Sequence, residues 1–409
     1  MLENKYKKRQ EYFTRKRKIS FKDIILFELG TLKKTLSLEI QDFIKRTNKE
    51  EFSKQAYSKA REKVNPEVFK ELNEDIVEGT YKGEHKRYEG YVILAIDGST
   101  VQLPNTKEVR EIYGGQRNQS NKETAIGRIG VIYDVLNEIV LEGRITGYEK
   151  GEREIAEELL KIATRISKVI ILMDRGYPSV RLLKLMNDIG IKYLIRLPKK
   201  FLKETDEFMN TDKEEENVEI VVTKGRNVKG LSTGSKLNTR CIRVKLENEN
   251  DENEYIITNL TKEEMGNEKF KELYRKRWKI ETNYNIIKNV LELGNFTGET
   301  KTAIEQDFYA TIYLNNISNI AINEAQEEYE KKEKKETKYR YKINRSVAIG
   351  HLKRNLIEIY LCNSPRKRKK MLKNIFDIIQ KNVLPERTGR QYSRSNRRTK
   401  FNRTHKRVL

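Results

Sequence analysis

Hydrophobic positions change their rhythm several times along the chain, and each change predicts a different kind of element. Between residues 1 and 88, Ile24, Ile25, Phe27, Leu29, Leu32, Leu36, Leu38, Ile40 and Phe43 recur at spacings that suit one face of a helix. A basic stretch over 54–61 then runs up to the turn signal Asn65-Pro66. The pattern predicts a small helical module with a basic face, which solvated lysines explain as well as a nucleic-acid contact does. At Tyr91 the rhythm changes. Tyr91-Val92-Ile93-Leu94-Ala95-Ile96 is an unbroken apolar run, too short for a buried helix, and it stops at Asp97-Gly98. Such a run predicts a strand covered on both faces and ending in a turn.

Two strand-like segments follow, 126–136 and 139–145, joined near Asn137-Glu138 as a hairpin. A helix is predicted over 152–166, a second covered strand at Val169-Ile170-Ile171-Leu172-Met173 ending on Asp174, a helix over 179–189 and a strand at 193–197. Three antiparallel strands and then alternating helix and strand is the order of a ribonuclease-H-like α/β fold, a mixed sheet flanked by helices. From 199 to 260 an acidic run gives way to β-branched stretches at 218–223, 241–246 and 255–258, the mark of a β-rich insertion. Helices resume over 269–293 and 304–329, and the charged run 330–338 predicts a solvated helix end. The last segment, 387–407, is dense in Arg and Lys with almost no aliphatic residue; it has no core to bury and predicts a flexible tail.

Charge sharpens this picture. With 84 Lys and Arg against 61 Asp and Glu in 409 residues, the chain carries +23 and needs a polyanion to offset its self-repulsion. Nucleic acid is the expected partner. No apolar run reaches the roughly 18 residues that span a bilayer and no signal-peptide pattern opens the chain, so the expectation is no membrane and a cytoplasmic protein. Cys241 and Cys362 are far apart, and His85, His351 and His405 are scattered. A bound metal would therefore have to be held by carboxylates.

Two carboxylates share a context, Asp97 before Gly98-Ser99 and Asp174 before Arg175-Gly176-Tyr177-Pro178, each closing an apolar strand. Strand ends set side by side converge on one patch, and two carboxylates there make sense around a divalent cation. For either residue alone, an N-cap or turn aspartate explains it better; the pair brings the two readings level. On one continuous helix, at roughly 100° per residue, Tyr274, Arg277, Glu281 and Lys288 fall within about 60° of each other, with Ile280, Ile287, Val290 and Leu291 opposite. Any amphipathic helix has such a polar face, so spacing alone favours solvation.

The spacing Tyr274-x-x-Arg277-x-x-x-Glu281, with Lys288 seven residues on, resembles in full the Y-(2)-R-(3)-E-(6)-K signature of the insertion-sequence-four family of DDE transposases. Asp174-Arg175-Gly176-Tyr177 is similar to that family's second-aspartate motif and Asp97-Gly98-Ser99, with Leu103-Pro104, to its first. Phe21-Lys22-Asp23, Thr258-Asn259-Leu260, Gln306-Asp307-Phe308-Tyr309-Ala310 and Asn315-Asn316 also resemble family segments, so the likeness runs from about residue 15 to about 355.

The resemblance implies a ribonuclease-H-like core in which Asp97, Asp174 and Glu281 are catalytic and bind two Mg2+ ions, with Mn2+ as a substitute. It assigns phosphate binding to Tyr274, Arg277 and Lys288, with no organic cofactor. It implies a bacterial, nucleoid-associated enzyme acting on double-stranded DNA, both terminal inverted repeats and target, as a homodimer. Strand transfer would follow end cleavage, through a DNA hairpin in relatives with a β-rich insertion. A flipped base would then need Phe201, Phe208 or Tyr255, since Trp278 is expected to pack its helix on the core. The rival readings are a transposase-derived DNA-binding protein without catalysis and a ribonuclease-H-like nuclease without strand transfer. The expected domains are an N-terminal helical DNA-binding module (1–88), a catalytic domain in two pieces (89–198 and 261–330), the β-rich insertion (199–260), a C-terminal helical region (331–386) and the basic tail (387–409).

Overall fold

The computed structural model describes residues 2–117, 123–223, 232–245, 253–332 and 339–386. The basic tail at 387–409 and the run 333–338 lie outside the described residues.

In chain order the elements are helices α1 (Leu2–Tyr6), α2 (Phe21–Gly30), α3 (Leu36–Thr47), α4 (Lys54–Arg61) and α5 (Glu67–Lys82), then strand β1 (Val92–Gln102), α6 (Lys107–Tyr113), β2 (Gly115–Arg117), β3 (Glu123–Asp134) and β4 (Ile139–Gly147). Next come α7 (Glu152–Ala163), β5 (Val169–Met173), α8 (Val180–Asp188), β6 (Lys192–Arg196), α9 (Lys203–Met209), β7 (Glu215–Val221), β8 (Lys236–Lys245) and β9 (Asn253–Thr258). The chain closes with α10 (Glu268–Arg275), α11 (Trp278–Asn285), a π-helical turn (Ile286–Val290), α12 (Lys301–Lys332), β10 (Arg340–Ile343), α13 (Arg345–Leu361), α14 (Pro365–Lys381) and β11 (Val383–Glu386). Among the described residues, packing divides these into two compact units that interleave along the chain: those within 2–76, 101–126 and 285–386 form one, those within 77–100 and 127–284 the other.

The second unit is built on a mixed sheet in the order β4, β3, β1, β5, β6, β9, β8, β7. β3 and β4 are the expected antiparallel hairpin, while β5 runs parallel to both β1 and β6. This is the mixed sheet flanked by helices that the sequence predicts, with the ribonuclease-H-like order of strands. The β-rich stretch does not stand apart from the sheet: β9 pairs antiparallel with β6, and β8 and β7 continue outward from it. β5 is buried at every position, which is why it reads as an unbroken apolar run. One face of the sheet, with Leu94, Ile96, Ile171 and Met173, packs on Ile155, Leu159 and Leu160 of α7 and Leu182, Leu183 and Met186 of α8. The approach is close enough that a Cβ at Gly130 would lie 2.6 Å from Ile155 Cγ2, so this strand position needs glycine.

The first unit is helical, apart from β2 paired with the start of β3 and the small antiparallel pair β10 and β11, which the sequence did not announce. Two of its helices start on serine caps, Ser20 with Asp23 in a capping box on α2 and Ser53 on α4. At its centre Arg61, 3% exposed, is 3.0 Å from Glu28 and 3.5 Å from Asp307, and Lys33 is 2.8 Å from Asp307. Arg61 also donates to Gln306 Oε1, Thr297 Oγ1 and the Ala303 carbonyl, and Tyr57 donates to Glu28. α2, α4 and α12 are thus joined by two buried cations facing two buried carboxylates. Among the described residues no helix is long and apolar enough to cross a membrane.

Two expectations are corrected. β1 does not end at Asp97 but continues to Gln102; Thr100 and Val101, β-branched, sustain an extended chain past the turn signal Gly98-Ser99. The single helix over 269–293 is three pieces. Arg277 N–H donates to the Tyr274 carbonyl at 3.0 Å and Ile280 N–H to the Arg277 carbonyl at 3.0 Å, tight three-residue steps between α10 and α11, and the π-helical turn then widens the coil.

Candidate functional site

The parallel pairing of β1 with β5 sets the geometry. Its last paired positions are Ala95 and Leu172, and Asp97 and Asp174 each lie two residues further on. Side chains alternate along a strand, so both carboxylates leave the sheet on the face of Ala95 and Leu172, about 5 Å apart if the spacing of the ladder persists. Both are half-buried. Asp97 Oδ1 accepts its own neighbour's N–H, from Gly98 at 2.9 Å, and Asp174 Oδ1 accepts from Gly176 at 2.7 Å. Tyr284 of α11 donates to the Asp97 carbonyl at 2.7 Å.

Gly98 has a steric reason to be glycine. A Cβ there would lie 2.9 Å from Glu152 Cγ, and Glu152 is held by Arg128 at 2.8 Å. Gly98→Ala is expected to push Glu152 off Arg128 and to cost about 1 kcal/mol in a thermal or urea unfolding measurement; an unchanged midpoint would show that Glu152 gives way freely.

Glu281 sits in the first turn of α11, and its Oε1 accepts from Arg277 Nη2 at 2.8 Å. Asp97 feels the charge of the other two acids. Burial pushes the Asp97 carboxyl up to about 6; the Gly98 N–H opposes the rise, Asp174 and Glu281 add to it, and the Arg277 guanidinium works against them. The second oxygen of each carboxylate is without a hydrogen-bond partner among the described residues, which leaves one oxygen of each available to a divalent cation. As they stand, no three acidic, His or Cys side chains among the described residues are grouped closely enough to hold an ion.

The basic and aromatic companions divide. Arg277 is buried, lies 5.9 Å from the Tyr274 ring centre and 5.0 Å from that of Trp278, and its Nε has no partner. Tyr274 is also buried, and its hydroxyl donates to the Met173 carbonyl at 3.2 Å, next to Asp174. Lys288 lies in the π-helical turn and belongs to the other unit. Trp278 does not pack α11 on the core: it is 47% exposed, with the Arg277 guanidinium over its ring. Phe208 is 1% exposed and stacks edge-on against Tyr255 with centroids 6.1 Å apart, so both serve the core.

Sequence reasoning missed what several motif residues do. Asn259 accepts from Tyr193 N–H and donates to the Ile191 carbonyl, and Thr258 donates to the Tyr193 carbonyl at 2.5 Å. The Thr258-Asn259-Leu260 segment is therefore a clasp between β9 and β6. Asn283, two residues beyond Glu281, is buried with neither amide atom partnered, a position its polar character gave no reason to expect.

Residues 88–316, more than half of the chain, match the family model described as a transposase DDE domain. Over 242 residues the chain is 24% identical to the transposase InsG for insertion sequence element IS4 of Escherichia coli (strain K12), a match covering 57% of this chain and 52% of that protein. The chain thus spans about half the length of the curated relative it matches. Among solved structures it is similar to the piggyBac transposase in a synaptic complex with hairpin DNA, with a TM-score of 0.42 and 12% identity, over 92% of this chain and 78% of that one.

Proposed function

Because the chain belongs to the transposase DDE-domain family, we propose that it is an insertion-sequence transposase that cuts the ends of its element and joins them to target DNA. The catalytic domain would comprise 89–198 and 261–330, with 199–260 as insertion. Asp97, Asp174 and Glu281 are the catalytic carboxylates in this reading. Bound between them, two magnesium ions, or manganese in their place, would polarise the attacking and leaving oxygens of an in-line displacement at phosphorus. The chain's own residues do the rest. Arg277, held beside Glu281, grips a phosphate oxygen next to the scissile bond, and Lys288 adds a point charge. Tyr274, through the Met173 carbonyl, holds the end of α10 against β5, the strand that Asp174 follows, and lends its ring to Arg277. Water is the first nucleophile and the released 3′-hydroxyl the second. The hairpin route, recognition of terminal repeats and action as a homodimer belong to the same proposal.

The observation that supports it most directly is the parallel register of β1 and β5, which sets Asp97 and Asp174 each two residues beyond the paired Ala95 and Leu172 although they lie 77 residues apart. The test is cleavage of a duplex carrying the element's end, in magnesium, by the wild type and by Glu281→Ala. Cleavage by the wild type alone is expected; cleavage that survives the substitution would refute the assignment.

A further inference from the structure

Helix α14 carries an arrangement of charge that works against its own stability. Its first nine residues, Pro365 to Lys373, contain six cations and no acid, and the first carboxylate is Asp377. The start of a helix already presents unsatisfied N–H groups and the positive end of the dipole, which favours acids there, not lysines. Ser364 caps only the Lys367 N–H. At about 100° per residue, Arg366, Lys369, Lys370 and Lys373 fall within an arc of about 100°, at the separations of three and four residues where like charges repel. All four are exposed, and among the described residues none has an acidic partner. Four exposed lysines between 203 and 262 stand otherwise: Lys203 is paired with Glu207, Lys213 with Glu216, Lys236 with Glu219 and Lys262 with Glu215.

We propose that this face of α14 docks on the phosphate backbone of duplex DNA, without regard to sequence. The proposal rests on the DNA-transposing function argued above and adds to it a contact surface far from the carboxylates in sequence. From Arg366 to Lys373 the stripe is about 10 Å long, the axial length over which one strand of a duplex presents about three phosphates. Phosphates placed there relieve the repulsion within the stripe and answer the helix dipole together. A lipid surface suits the helix less well. Ile375 and Ile379, on the opposite side, are buried in the protein's own core, whereas an interfacial helix keeps such residues for the bilayer.

Counterion release gives the test. Affinity of the full-length protein for a random-sequence duplex is measured by fluorescence anisotropy between about 50 and 200 mM salt. The four-site variant Arg366→Gln, Lys369→Gln, Lys370→Gln, Lys373→Gln is compared with a control that loses the same charge from paired lysines, Lys203→Gln, Lys213→Gln, Lys236→Gln, Lys262→Gln. The slope of log affinity against log salt is expected to flatten by about 2 to 4 in the α14 variant and by less than about 0.5 in the control. Equal flattening in both, or none in the α14 variant, overturns the proposal. A wild type that binds no duplex at all overturns the transposase reading as well, which separates the two failures. Should the four-site variant unfold, Lys369→Gln with Lys370→Gln is expected to flatten the slope by about 2, and an unchanged slope there is equally decisive.

Discussion

Asp97→Asn is expected to abolish cleavage and, in the same molecule, to make the metal-free protein more stable. The loss of activity follows from removing a carboxylate that would hold the ions: cleavage of an end substrate should fall by about 10³-fold or more, roughly 4 kcal/mol of transition-state stabilisation. The gain in stability follows from the raised carboxyl. Asp97 titrates at about 6 instead of 3.8, chiefly because the folded protein buries it. A folded-state pKa above the unfolded one means that stability is full below about 3.8 and is lost as pH rises through about 6. At pH 7.5 the ionised group therefore costs the fold about 3 kcal/mol. Asparagine keeps an oxygen for the Gly98 N–H and carries no charge. In a chelating buffer its urea midpoint should exceed that of wild type at pH 7.5 and the gap should narrow towards pH 5. A midpoint equal to wild type at both pH values would show that Asp97 is not under strain; full activity would remove it from the chemistry.

Arg61→Met is expected to be among the most damaging substitutions for the first unit, although Arg61 stands outside the carboxylate site. It leaves Glu28 and Asp307, both essentially inaccessible to water, with Lys33 as the remaining cation in their group. Breaking such a buried cluster from one side typically costs about 3–5 kcal/mol, far more than the intact cluster contributes over an apolar replacement. Burial already raises the Glu28 carboxyl and Arg61 restrains that rise. Without Arg61 it should go higher still, so lowering the pH neutralises Glu28 and returns part of the loss. Urea unfolding of Arg61→Met should thus be closer to wild type at pH 5.5 than at pH 7.5, and Glu28→Gln added to it should recover stability at pH 7.5. If the double variant is no better than the single, the cluster is not the cause.

Much of this arrangement was legible from the chain, for identifiable reasons. Val169-Ile170-Ile171-Leu172-Met173 could only be a strand covered on both faces, and Asp174 follows it as expected. The hairpin of β3 and β4 announced itself at Asn137-Glu138, where Glu138 takes a positive φ of 59°. The end of β1 was misjudged because a Gly-Ser pair is a turn signal only when nothing beyond it wants to be extended. The break at Arg277 was invisible because tight, regular and wide helical turns all tolerate apolar residues three and four apart. Trp278 was misplaced on its apolar character alone, without weight for the lysines and arginine around it. Arg61, Glu28 and Asp307 were hidden among the many charges of helices that look solvated, since burial of a charge depends on partners more than two hundred residues away. β10 and β11 are four residues each, too short for a pattern, and Pro385 is tolerated there because a two-stranded pair has only edges.

Parallel strands can slide past one another and recover the same kind of bonding one step along. A one-residue slip of β5 against β1 would carry Asp174 about 3.3 Å and turn it to the opposite side of the sheet, away from Asp97. Nothing in the backbone forbids this; the five buried side chains of β5 do. The distance between two acids is therefore guarded by hydrocarbon. A core substitution that loosens β5 should disturb the chemistry before it unfolds the protein, and selection for a faster enzyme cannot act on that spacing without also acting on the solidity of the sheet.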